Sequence, residues 1–160
     1  MLNGKRGRFL HRSDPDGVIV DARYHLVTFE SLDAAEQYAV GAGLTYHQGE
    51  GAHYDLDAID DWCRSPSAST VDCDTFINVW NLLNDICLTV PWLVEPFRRG
   101  HYNVVYNKLF WGLNLPAMTP EGRHWTPIWR ESQVRALRRV LTRTVLEFRR
   151  LLPGESYTTA

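Results

Sequence analysis

The stretch Val71-Asp72-Cys73-Asp74-Thr75-Phe76-Ile77-Asn78-Val79-Trp80-Asn81-Leu82-Leu83-Asn84-Asp85-Ile86-Cys87-Leu88-Thr89-Val90-Pro91 decides how the rest of the chain is read. Phe76, Val79, Trp80, Leu83, Ile86, Cys87 and Val90 recur at spacings of three and four, which puts them on one face of a helix. Asp72 stands where an N-cap belongs, and Val71 and Phe76 occupy the two positions of a hydrophobic staple around it. Pro91 lacks the N–H that another turn would need, so the helix stops there. A face this apolar requires burial, and the segment is read as a core helix.

Upstream of it, Asp55 caps a short helix through Cys63. Leu56, Ile59, Trp62 and Cys63 lie on one side of that helix, and Asp57, Asp60 and Asp61 on the other. Asp57, Asp60 and Asp61 are read as solvated, and the acids near the start suit the helix dipole. Ser65-Pro66-Ser67-Ala68-Ser69 breaks the periodicity. Further back, Ser31 caps a helix over 32–42 and Gly43 takes the C′ position. Before that, 18–20 and 24–29 read as two short strands joined at Asp21-Ala22-Arg23, after a turn at Asp14-Pro15-Asp16-Gly17. Residues 44–47 are expected to add a third strand.

Downstream, 91–101 is irregular. A helix is expected over 102–111, with Val105, Leu109 and Trp111 apolar and Gly112 closing it. Residues 115–122 form a proline-ordered connection. A long helix runs over 131–152, with Val134, Leu137, Leu141, Val145, Phe148 and Leu152 as its buried stripe. Arg135, Arg138, Arg139, Arg143, Arg149 and Arg150 fill the rest of its surface. The fold class is therefore α+β and mainly helical: a small N-terminal antiparallel sheet packed with about five helices, the last one long. Residues 1–160 are read as a single domain, with a basic segment at 1–12 and a frayed tail at 153–160.

The net charge of −2 conceals a sharp division. Residues 1–12 carry Lys5, Arg6, Arg8 and Arg12 and no acid. Residues 13–95 carry fifteen acids against Arg23 and Arg64, a net of −13, and residues 98–150 reach +8 with eleven basic residues. Such a division implies either a charged partner or neutralisation of one half by the other. Cys63, Cys73 and Cys87 have no CxxC spacing and form neither a disulfide framework nor a zinc motif. No apolar run is long enough for a membrane span, no signal peptide is visible, and a cytoplasmic location is expected.

Candidate chemistry is sparse. His47, His53 and Asp55 are the residues an enzyme or metal site would use, but their spacing matches no ligand or catalytic motif, and surface residues are the preferred reading. Asp55, Asp57, Asp60 and Asp61 lack the alternating ligands, central Gly and closing Glu of a calcium loop. No metal, no cofactor and no catalytic residue is expected. The aromatic and amide run from Tyr102 to Pro116 suits either a binding surface or a helix packed against its own connection, with the second preferred.

What remains is a compact chain without catalytic motifs and with an acidic segment. That combination predicts an inhibitor of immunity or antitoxin type, acting on a basic toxin domain such as a nuclease. Tyr46, His47, Glu50, Tyr54, Asp55, Asp57, Asp60 and Asp61 are the expected partner-binding residues. The alternatives are a nucleic-acid binder using the arginines of the last helix, with Arg8 and Arg12 assisting, and a small enzyme centred on His47, His53 and Asp55.

Overall fold

The structure, a computed structural model, describes residues 2, 7–13, 16–45, 52–94, 97 and 100–153. In chain order its elements are β1 (Arg8–Phe9), β2 (His11–Ser13), β3 (Asp16–Val18), β4 (Thr28–Phe29), α1 (Leu32–Gly41), α2 (Leu56–Arg64), α3 (Cys73–Thr89), α4 (His101–Gly112) and α5 (Glu131–Leu151). A 3-10 turn at Ala68–Thr70 lies between α2 and α3. The fold is α+β and mainly helical, with a long C-terminal helix.

The expected caps are in place. Asp72 accepts from the N–H groups of Asp74 and Thr75 and from the Thr75 hydroxyl at 2.7 Å. Asp55 accepts from the Ala58 N–H, and Ser31 from that of Ala34. Gly43 follows α1 at φ +68, a backbone conformation that costs other residues steric strain.

Helix α3 is the centre of the molecule, touching α5, α4 and β3, while α2 lies along α5. Phe76, Val79, Trp80, Leu83 and Ile86 are buried as their spacing requires, and Cys87 is half-buried. Ile77 and Leu82 are buried as well. A helix enclosed on three sides buries more than the single stripe that periodicity reveals. In α4, Val105 and Leu109 are buried, but Trp111 is 51 % exposed and does not share their face. The α5 stripe is buried from Val134 to Phe148, with Leu152 only half-covered.

The sheet departs most from expectation. Two antiparallel ladders form, β1 with β4 and β2 with β3. The basic stretch around Arg8 and Arg12 thus supplies two strands where only a charged segment was expected. The predicted 18–20 and 24–29 pairing survives as a single Val20–Leu26 bridge, flanked by Val27 N–H donating to Ile19 O. Strands of two or three residues are too short for alternation to reveal them. Leu44 and Thr45 belong to no strand, and the remainder of the expected third strand, Tyr46 and His47, lies outside the described residues.

Polar ties hold the hairpin to the helices. The Val18 N–H donates to Thr89 Oγ1 at 2.9 Å, and the Leu26 N–H donates to the Leu151 carbonyl at 2.7 Å. His11 Nδ1 lies 3.1 Å from Asp85 Oδ2, and its Nε2 lies 3.4 Å from the Tyr54 hydroxyl.

Candidate functional site

Of the expected partner-binding residues, Tyr46, His47 and Glu50 lie outside the described residues. The other five sit on or just before α2, but they differ in what they offer. Tyr54 is half-buried, its ring stacked on Phe9 at 5.9 Å. Burial, aided by the Asp85 charge, pushes its phenol up to about 12. Asp55 is committed to capping. Asp57 is half-covered. Asp60 accepts from Arg64 at 2.8 Å and from Arg149 of α5 at 2.9 Å, so it joins two helices instead of facing solvent. Asp61 reaches solvent and is paired with Arg64 at 2.9 Å. The acidic face of α2 is therefore partly neutralised by Arg64. His53 is exposed, and its expected companion His47 is outside the described residues.

A different place brings side chains together. The first turn of α3 and the connection after α4 enclose an open cleft of about 390 Å³, lined by Asp72, Cys73 and Asp74 on one wall and Leu113, Leu115 and Trp125 on the other. Gly112 lets the walls approach: a Cβ there would collide with Cys73 Sγ and with the Pro127 ring. Asn114 fixes the far wall. Its backbone has φ +50, uncommon for a residue with a side chain. Its amide donates to the Gly112 and Trp125 carbonyls, both at 3.0 Å, and its Oδ1 accepts from the Trp125 N–H at 2.7 Å. These two opposed bonds to one residue pin the Trp125 backbone, although the residue is 43 % exposed. Lys108 of α4 braces the connection further on, donating to the Ile128 carbonyl and to Gln133 Oε1.

No protein-family model, curated protein or solved structure matches the chain. Its chemistry has to be read from its own side chains. Burial and then the Asp72 charge push the Cys73 thiol above the usual thiol range. Among the described residues no three His, Cys, Asp or Glu side chains gather as metal ligands do, and none of their helices is long and apolar enough to cross a membrane. What the cleft presents is an exposed indole, two leucines, two carboxylates, the His124 imidazole and the Cys73 thiol.

Leu113, Asn114 and Leu115 belong to the Tyr102–Pro116 run, and Asn114 ties the connection down as the preferred structural reading of that run expects. Trp125 carried no sequence signal. Its exposure follows from a pairing between residues eleven apart in an irregular connection, which no periodicity encodes.

Proposed function

We propose that the chain is a protein-binding inhibitor of immunity or antitoxin type, which neutralises a basic toxic enzyme such as a nuclease. The observation that supports this reading is how the charges pair. Within α5, Arg135 pairs with Glu131, and Arg143 and Arg150 both pair with the buried Glu147. Arg149 turns to Asp60, a salt bridge that joins the acidic segment to the basic one. Four of the six arginines of α5 thus have an acidic partner, although Glu131 and Glu147 alone leave the helix with a net charge of +4. Asp33, Glu36, Asp72 and Asp74 are exposed and, among the described residues, form no salt bridge.

A site built to hold phosphates is cationic. Carboxylates carried on rigid helices attract such a site over distance and take the phosphate positions once docked. The same pairing weakens the nucleic-acid reading. It occupies Arg135, Arg143, Arg149 and Arg150, leaving Arg138 and Arg139 as exposed cations of the helix, and the acidic segment repels the same polymer.

The test is to express the product of the gene adjacent to this one, with and without this chain. Toxicity of that product, abolished by co-expression, is the expected result. Asp33→Asn, Glu36→Gln and Asp74→Asn combined should slow association, with a difference that shrinks as salt shortens screening below ~8–10 Å. A harmless neighbouring product, or a triple variant that associates at the parental rate in low salt, removes the proposal.

A further inference from the structure

We propose that the cleft between α3 and the connection after α4 is a socket for an arginine side chain on the surface of the partner. The inference rests on the protein-binding reading above and assigns it a contact point. Three observations converge on a guanidinium. Trp125 lines the cleft with its backbone held by Asn114, and a planar guanidinium stacks on an indole face. Asp72 and Asp74 stand on the opposite wall. Asp72 Oδ1 serves the cap, while Oδ2 accepts one bond from Thr75 and keeps a further lone pair; Asp74 Oδ1 receives a 3.4 Å contact from Asn78. Leu113 and Leu115 give the aliphatic stem an apolar bed.

The competing ligand is an anion, since a helix N-terminus opens into the same cleft, His124 lines it and Arg123 precedes that histidine. Two carboxylates at that terminus, one already bonded to its free N–H groups, reverse the preference. A lysine satisfies the charge requirement and can donate to both carboxylates, but it cannot stack as a plane on the indole. The volume, about 390 Å³, lies at the small end of ligand sites and fits one long side chain with its flanking peptide.

The experiment titrates the full chain with N-acetyl-arginine amide and, in parallel, with the citrulline and lysine analogues, which alter charge and planarity separately. The Trp125 indole N–H resonance, identified by its loss in Trp125→Leu, is the readout. Arginine amide should move it saturably, citrulline amide should leave it in place, and lysine amide should bind more weakly. Asp72→Asn with Asp74→Asn should weaken the arginine amide about tenfold or more, since charge-assisted bonds become neutral ones. Asn also serves as an N-cap, so an unchanged melting temperature is expected and separates lost binding from lost folding.

Absence of any shift, an equal response to citrulline, or an unaffected double variant overturns the socket. Should Trp125→Leu neutralise the partner as the parent does, the socket falls while the inhibitor reading stands. Saturable arginine binding without any neutralised partner keeps the socket and removes the inhibitor reading.

Discussion

Trp80 is 2 % exposed and meets Tyr106 of α4 edge-to-face, with ring centroids 5.4 Å apart. Removing the indole leaves a cavity that α3, enclosed on three sides, cannot collapse to fill. Trp80→Ala should cost about 3–5 kcal/mol in denaturant unfolding. Gly112 carries the opposite constraint, too much matter in place of too little. Gly112→Ala drives a methyl into Cys73 Sγ and the Pro127 ring, and although alanine is the better helix former, overpacking should dominate at about 1–3 kcal/mol. Cys73→Ala in that background removes one of the two obstacles and should recover part of the loss. Full parental stability of Gly112→Ala would show that the walls of the cleft move apart freely.

Between elements, the Asp60–Arg149 pair sets how α2 lies along α5, with both side chains about one-fifth exposed. Asp60→Asn leaves the Arg149 guanidinium without its charge partner and should destabilise by about 1–3 kcal/mol, with little response to salt, since a partly buried pair is poorly screened. A double-mutant cycle with Arg149→Met measures the coupling directly. That pair also marks where the sequence stops being informative. The helices could be read because caps and apolar spacing are local: Ser31, Asp55 and Asp72 each announce a helix within four residues. The roles of Asp60 and Glu147 could not, because a carboxylate on a helix looks solvated until a distant arginine, or burial by another element, claims it. Glu147 is 2 % exposed and yet sits on the most charged helix of the chain. The candidate site was legible only in part, through the amide-rich run that contains Asn114. Asp72 was seen as a cap, and Trp125 was not seen at all.

At the level of the whole molecule, the Asp85–His11–Tyr54 chain ties the central helix, the N-terminal strands and the approach to α2 to one another. The Tyr54 phenol ordinarily titrates near 10 and is pushed up to about 12 in the fold. Between those values the unfolded chain has released the proton while the native one still holds it, so stability falls as pH rises from 10 to 12. Tyr54→Phe should flatten that decline in denaturant midpoints measured across the interval, and a decline of the same steepness would assign it to other groups. The Leu26–Leu151 hydrogen bond carries a consequence of another kind. A ribosome delivers Leu151 roughly 125 residues after Leu26, about 6–25 s later at ordinary elongation rates. For that interval the Leu26 N–H is left to water, and the hairpin lacks the cover that α3 brings midway and α5 only at the end. The strands are thus made well before the helix that completes their hydrogen bonding, so the hairpin takes its final place only once α5 has been synthesised.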